Sequence, residues 1–390
     1  MAIEGRGDAD KGRRIRLGMV GGGEGAFIGA VHRIASRIDD HYALVAGALS
    51  STPEKARRSG AALGLPSDRI YDDYQSMAKA EAKRGDGIEA VAIVTPNNVH
   101  AGPTYAFLKA GVHVICDKPL TVSLAEAKKM REAVEKSGLV FALTHNYTGY
   151  PLVRRMREMV RAGELGEIRL VQAEYPQDWL TGATESAGNK QAEWRVDPKR
   201  SGAGGSLGDI GTHAYNLADY VTGLELAELA ADLTSFGAGR KLDDNAQIML
   251  RFANGARGAI WASQVAPGNE NGLMLRVYGT KGGLQWRQDN PNYLFWSPYE
   301  KSTRIITRGG PDSGEAAARV TRVPPGHPEG YLEGFASIYS EVALAIKAAR
   351  VGKKPLKSVH FPTIDDGVKG LAFVEAAVKS SKANGKWVKP

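Results

Sequence analysis

At 390 residues, 43% hydrophobic and 24% charged, the chain has an ordinary globular composition, and its length exceeds what one core usually supports, so two domains are expected. Its formal charge of +8 does not point to nucleic acid: the basic residues are scattered, with one denser group at Lys379, Lys382, Lys386 and Lys389, and no reading element accompanies them. One cysteine, Cys116, excludes an internal disulfide and a cysteine metal cluster; no apolar run reaches the roughly 20 residues of a membrane span.

Residues 1–14 are polar, contain a protease-site-like Ile3-Glu4-Gly5-Arg6 and lack the apolar stretch of a secretory signal. They are expected to be a flexible segment, and the chain is expected to be cytoplasmic. Residues 15–20 form a short apolar run that ends in Gly21-Gly22-Gly23, and 28–38 carry a helical pattern. Residues 42–49 are a second buried strand, followed by a helix that Pro53 can open. Residues 91–94, 112–115 and 139–143 are further short apolar strands, alternating with helical segments. Such alternation predicts a parallel, doubly wound sheet over residues 15–147.

Past Thr144 the pattern changes. A helix over about 150–162 leads into strands at 168–175, 226–236, 246–252, 257–265, 273–278 and 284–288. Glycine turns such as Asn254-Gly255 and Lys281-Gly282-Gly283 join several of them. Helices at 331–350 and 365–383 end the chain, and the Gly-, Pro- and Ala-rich stretch 309–330 reads as a long surface loop. The fold class is α/β: an N-terminal Rossmann domain, then a C-terminal α+β domain (148–390) on an open, mainly antiparallel sheet.

Three constellations carry chemistry. At the first strand–helix junction, Gly21 and Gly23 hold the first two positions of a dinucleotide fingerprint, where backbone N–H groups and a helix N-terminus bind a pyrophosphate. Ala26 stands at the usual third position and Gly29 three residues further on, and Ala26, Phe27 and Ile28 open the helix beside the site. The carboxylate expected after the second strand is missing, since the chain reads Ala48-Leu49-Ser50-Ser51-Thr52. A 2′-phosphate would not be repelled there. Ser50, Ser51 and Arg57 can contact it, or the serines simply cap the next helix; the pattern fits NAD or NADP.

The second constellation lies at the carboxyl ends of two later strands, where ligands of doubly wound sheets bind. Thr95-Pro96-Asn97-Asn98-Val99-His100 can hold the ribose and nicotinamide half of a cofactor, or merely start a helix. Cys116-Asp117-Lys118-Pro119 directs an ammonium into the crevice, suited to a substrate hydroxyl and its developing negative charge. The third is Gly204 to His213. Spacing of four puts Asp209 and His213 on one helix face, where the carboxylate can orient an imidazole that accepts a hydroxyl proton. Zinc would need a third ligand with recognisable spacing, which is missing, so no metal is expected. Tyr147, Trp179, Trp194, Arg195 and His327 are further candidates for a sugar pocket.

Taken in order and spacing, the Gly-rich turn, Thr-Pro-Asn-x-x-His, the Lys-Pro strand end and Gly-Asp-Ile-Gly-Thr-His resemble the glucose–fructose oxidoreductase/inositol dehydrogenase (Gfo/Idh/MocA) family over about residues 15–387. The resemblance implies a catalytic set of Lys118, Asp209 and His213, with Asp117 where the family usually has glutamate. It further implies cofactor contacts at Thr95, Asn97, His100, Asp117, Lys118 and Pro119, and homodimers or homotetramers built through the open sheet. The expected activity is NAD(P)-dependent hydride transfer from a secondary hydroxyl of an inositol, sugar or glycoside. Two alternatives stand beside it: a redox-neutral glycosidase with retained cofactor, and a non-catalytic sugar or dinucleotide sensor.

Overall fold

The computed structural model describes residues 13–182, 185 and 197–390. Its first sheet has five parallel strands in the order β2-β1-β3-β4-β5: β1 Ile15–Gly21, β2 Tyr42–Ala48, β3 Ala90–Val94, β4 His113–Cys116 and β5 Phe141–Leu143. Between them run α1 Phe27–Ile38, α2 Pro53–Ala62, α3 Tyr74–Glu81, α4 Ala101–Lys109 and α5 Leu124–Ser137. Every residue of β3 is buried, as expected of a central parallel strand with helices on both faces. Strand order reverses between β1 and β3, so the crevice beyond their carboxyl ends is the topological switch point.

The chain then passes through α6 (Pro151–Arg161) into an eight-stranded sheet ordered β13-β12-β11-β10-β6-β9-β8-β7. Its strands are β6 Ile168–Pro176, β7 Leu226–Thr234, β8 Asn245–Phe252, β9 Arg257–Ser263, β10 Met274–Gly279, β11 Gly282–Arg287, β12 Tyr293–Pro298 and β13 Arg304–Thr307. All pairs are antiparallel except β6 with β9. Alternation works as expected: Ala246, Ile248, Leu250 and Phe252 of β8 point into the core while Met249 is 56% exposed. Helices α7 (Pro198–Ser201), α8 (Thr212–Thr222), α9 (Gly314–Ala318), α10 (Tyr331–Arg350) and α11 (Ile364–Lys382) complete the described elements. From α6, α8 and α11, Met156, Leu217 and Phe373 join the core against the inner face of this sheet.

Three features depart from expectation. Strands β12 and β13 extend the sheet at its edge; each is short, so neither gives the sustained alternation that a periodicity search needs. Residues 309–330 are not a plain surface loop. They contain α9, bury Ala317 and Val320, and are tied down by a buried Arg308–Glu329 ion pair (3.1 Å) and by Arg322, which reaches Asp39 at the end of α1 (2.5 Å). These ties are long-range, so local composition misses them. Finally, α10 packs on the first sheet rather than the second: Phe335, Ile338, Tyr339 and Val342 share a core with Ile15, Leu17 and Tyr42. Chain order and packing part company there. No helix among the described residues is long and apolar enough to cross a membrane.

Candidate active site

The crevice starts at the Gly-rich turn. Gly21 has φ +77°, and a Cβ there would lie 2.7 Å from Val94 O, so the turn and its closeness to β3 both require glycine. Gly29 is the third glycine of the motif despite its late position. A Cβ on it would stand 2.2 Å from Gly22 O and 2.4 Å from Gly22 Cα. It lets α1 lie directly against the turn, the close helix–strand packing that the fingerprint serves. Gly23 N is tied to Leu49 O (3.1 Å) and Ala26 N to Gly23 O (3.0 Å). Ala26, at the N-cap of α1, supplies no side-chain cap, which leaves the first-turn N–H groups for a ligand.

At the end of β3, Thr95 Oγ1 is buried without a partner among the described residues. Asn97 is buried and its Nδ2 donates to Ser201 O (3.4 Å). His100 takes a different place from the one expected of it. Fully buried, it sets Nδ1 2.9 Å from Pro119 O and Nε2 2.9 Å from Thr95 O, stapling the two crevice loops together from behind. Neither His100 nor Pro119 lines the cavity. Ser50 and Ser51 also lie off its wall; Ser50 Oγ accepts from Thr52 N (3.2 Å) on the way into α2, and Arg57 pairs with Asp72 (3.1 Å).

At the end of β4, Asp117 accepts a hydrogen bond from Thr144 Oγ1 (2.7 Å) and faces His32 Nε2 (3.6 Å), whose Nδ1 is 2.8 Å from Tyr339 OH. Burial pushes the Asp117 carboxyl up, but His32, Thr144 and Lys118 outweigh it and hold the group down at about 2. Lys118 reaches across the domain boundary. Its Nζ donates to Asp209 O (2.6 Å) and Asp209 Oδ1 (3.0 Å).

Asp209 sits on a π-helical turn, Leu207–Gly211, that leads into α8. Asp243 builds this turn: its carboxylate accepts from Gly205 N (2.7 Å), Leu207 N (2.8 Å) and Ser206 Oγ (2.8 Å). The two Asp209 oxygens meet Lys118 and Gln264 Nε2 (2.9 Å). The expected orientation of His213 by that carboxylate gives way to ring packing. Buried His213 Nδ1 has no hydrogen-bond partner among the described residues, while Tyr147 (4.8 Å, 78°) and His145 (5.4 Å, 87°) meet its ring edge-on. The π-helical turn changes the geometry that a spacing of four implies in an α-helix. Burial first, then the charge of Lys118 and the nearness of His145, push His213 well below the usual histidine range. It is neutral at ordinary pH and able to take a proton.

These residues face one cavity of about 790 Å³. Ala26, Phe27, Ile28, Thr95, Asn97, Asp117 and Lys118 line it from the first domain. Tyr147, Trp179, Asp209 and His213 line it from the following half. His327 is exposed on its loop and does not line it; Trp194 and Arg195 lie outside the described residues. On the far wall, sequence reasoning named Tyr147 and Trp179 but missed Tyr175 and a row of amides. Tyr147 OH meets Tyr175 OH (2.5 Å), Tyr175 OH and Gln177 Nε2 both donate to Asn271 Oδ1 (2.8 Å each), and Asn271 Nδ2 donates to Gln288 Oε1 (2.8 Å). Trp179 Nε1 donates to Gln177 Oε1 (3.0 Å). Gln177 and Gln288 directly follow β6 and β11, a strand-end signal of the kind that located Thr95 and Lys118.

A dinucleotide fits the first-domain wall: a glycine turn without room for a Cβ, uncapped N–H groups at α1, and an unpartnered threonine hydroxyl at the switch point. Such a crevice, facing an ammonium, a carboxylate and a neutral imidazole, defines a nicotinamide-dependent oxidoreductase. Residues 15–145 match the model described as "Oxidoreductase family, NAD-binding Rossmann fold" and residues 153–285 the "GFO/IDH/MocA C-terminal domain"; the chain belongs to the GFO/IDH/MocA family and is NAD(P)-dependent. Among solved structures it is similar to an oxidoreductase from Sinorhizobium meliloti (59% identity, TM-score 0.89, covering 97% of this chain and 100% of that one). It is also similar to an inositol dehydrogenase homologue from Azotobacter vinelandii complexed with NADH and myo-inositol (35%, TM-score 0.90, 97% and 98%). Levoglucosan dehydrogenase of Pseudarthrobacter phenanthrenivorans is 27% identical over 96% of this chain and 98% of that protein.

Proposed function

We propose that this chain oxidises a secondary hydroxyl of an inositol, sugar or glycoside, with Lys118, Asp209 and His213 as the catalytic set. The observation that carries the reading is the Lys118–Asp209 pair (3.0 Å) at the wall of a cavity that also holds His213 and the mouth of the dinucleotide crevice. When bound, the nicotinamide supplies the hydride acceptor. The chain does the rest. Lys118 donates a hydrogen bond to the reacting oxygen and offsets its growing negative charge, while Asp209 keeps the ammonium aimed. Neutral His213 takes the hydroxyl proton. The amide row of Gln177, Asn271 and Gln288 presents donors and acceptors that suit a ligand with several hydroxyls, and Trp179 offers a face to its C–H surface.

The relatives that bind myo-inositol or levoglucosan support this substrate class. Oligomers through the open sheet belong to the same reading: Leu170, Met249 and Ile305 are each at least half exposed on the second sheet, and apolar side chains so placed favour a covering partner. The test is a panel of inositols, hexoses, anhydrosugars and glycosides with NAD+ or NADP+, read by absorbance of the reduced cofactor. Turnover that Lys118→Met and His213→Ala abolish is the expected result; silence across the panel would sink the proposal.

A further inference from the structure

We infer that Gln264 is a positioning residue for the reaction: it holds the Asp209 carboxylate, and through it Lys118, in one hydrogen-bonded frame with the amides of the substrate wall. The inference rests on the reading of Lys118 and Asp209 given above. Gln264 follows the last residue of β9 and is 1% exposed. Its backbone is pinned on both sides, N donating to Asp244 O (2.8 Å) and O accepting from Leu180 N (3.0 Å). The side chain therefore leaves from a fixed point. A carboxylate only accepts hydrogen bonds, so the amide must turn Nε2 toward Asp209 Oδ2 (2.9 Å).

The same nitrogen stands 3.5 Å from Gln177 Oε1, and Gln177 donates to Asn271 (2.8 Å). One buried amide thus joins the Lys118–Asp209 pair to the row that faces the substrate. The chemistry asks for a neutral donor here. A cation would compete with Lys118 for the carboxylate, and an apolar side chain would remove the hydrogen bond that Gln264 gives to Oδ2 and loosen the orientation of the carboxylate. The other acidic groups beside this strand end are already committed. Asp244 holds Arg240 (2.9 Å) and the N–H groups of Phe236 and Gly237, and Asp243 caps the π-helical turn. Among the described residues, the ionisable groups that feel the Asp209 charge are Lys118, His213, Tyr147, Tyr175 and Tyr331, with His145 beside His213; Arg200 lines the same cavity and Asp178 follows Gln177 in the chain.

The test compares Gln264→Leu and Gln264→Glu with the wild type, using NAD+ with myo-inositol and, separately, with levoglucosan. The leucine variant is expected to lower kcat by about tenfold to a hundredfold through misplacement of the acting groups, with KM changed by no more than about twofold. In the glutamate variant two carboxyl groups face each other and share a proton, which they retain to higher pH than either would alone. The protonated glutamate donates as the amide does; the ionised one repels Asp209. The ratio of variant to wild-type kcat should therefore climb as pH falls from mildly alkaline to mildly acid, which also shows that the variant is folded. A flat ratio, or a wild-type kcat in the leucine variant, overturns the inference while leaving the oxidoreductase reading intact. A measurement without substrate separates the two further. In protein labelled with 13C at lysine Cε, the Lys118 signal, assigned by its loss in Lys118→Met, should move in Gln264→Leu; an unmoved signal refutes the inference even if neither polyol turns over.

Discussion

Substituting Gly29 by alanine tests the dinucleotide crevice without any knowledge of the substrate. The added Cβ would lie 2.2 Å from Gly22 O, whereas ordinary contact begins near 3.4 Å. Relief requires α1 to retreat from the turn by about 1 Å, because the atoms it meets are backbone with no rotamer to yield. Overpacking of this kind costs about 1–3 kcal/mol, and the better helix propensity of alanine returns up to about 1 kcal/mol. A net loss of about 1 kcal/mol lowers the melting temperature by about 2–4 °C at this domain size. Gly370, in the middle of α11, is the control: outside the backbone of its own helix no atom lies within 4 Å of its built Cβ, and alanine there should stabilise by about 0.5–1 kcal/mol. The same chemical change thus carries opposite signs at two helical sites. Urea denaturation supplies the stability, and calorimetric titration with NAD+ supplies the consequence, an affinity at least about tenfold weaker for Gly29→Ala as the N–H groups of α1 move off their ligand. Equal stabilities for the two variants, or unaltered NAD+ binding by Gly29→Ala, would refute the assignment of Gly29 as the packing glycine of the motif.

Lys118→Met should cut kcat by about a hundredfold to ten-thousandfold, the usual size of a lost acid–base or charge-stabilising group, while calorimetry shows NAD+ binding within about threefold of wild type; loss of both together would place the lysine in cofactor binding instead. Stability should fall with pH below the ordinary histidine range. Burial and neighbouring positive charge bring His145 and His360 down to about 3 and His213 well below its usual value. The unfolded chain therefore takes up protons at these residues near pH 6.5 while the fold does not, so their contribution is complete above about 6.5 and lost toward about 3. Urea midpoints measured at stepped pH check this, and a midpoint unchanged between neutral and pH about 5 would contradict it. Asp243→Ala removes the acceptor of two backbone N–H groups and one hydroxyl, so it should destabilise by about 1–3 kcal/mol and lower kcat as Asp209 shifts; wild-type kcat in a folded variant would show that the cap does not set the position of Asp209.

The first sheet was legible because parallel strands buried on both faces read as continuous apolar runs, each closed by a motif at its carboxyl end. Gly21, Thr95, Asp117 and Lys118 all follow from that rule, and the cavity contains or adjoins each of them. His100 shows where the rule stops. A histidine five residues past a strand end is equally compatible with facing a ligand or stapling two loops, and only the positions of Thr95 O and Pro119 O decide. Similarly, Asp209 and His213 are correctly brought to one cavity by their spacing, yet the π-helical turn and the rings of Tyr147 and His145 set how the imidazole stands. The amide row was invisible for a different reason. Gln177, Gln264 and Gln288 directly follow β6, β9 and β11 and Asn271 lies shortly before β10; the strand-end rule reaches their places, but only the pairing of the strands brings those ends to one wall.

The packing of α10 on the first sheet accounts for the precision that the site needs. Lys118 hangs from β4 and Asp209 from a turn docked on the second sheet, so their 3.0 Å separation depends on how the two halves are joined. A linker alone would leave it loose. Instead, the chain returns after the second sheet to lay Phe335, Ile338 and Val342 against the core of the first. From the same helix Glu341 pairs with buried Arg154 of α6 (3.0 Å) and with Arg319 (3.0 Å). An ion pair desolvated on both sides adds little net stability, yet breaking it is costly, so it penalises any relative slide of α6 and α10. Glycine contributes the other restraint: a Cβ at Gly149 would lie 2.0 Å from Gly334 O, which places the start of α10 in direct backbone contact with the segment holding His145 and Tyr147. The helix that covers the first sheet is thereby the element that indexes the ring packing around His213, and the glycine-turn wall and that imidazole are registered through one piece of backbone.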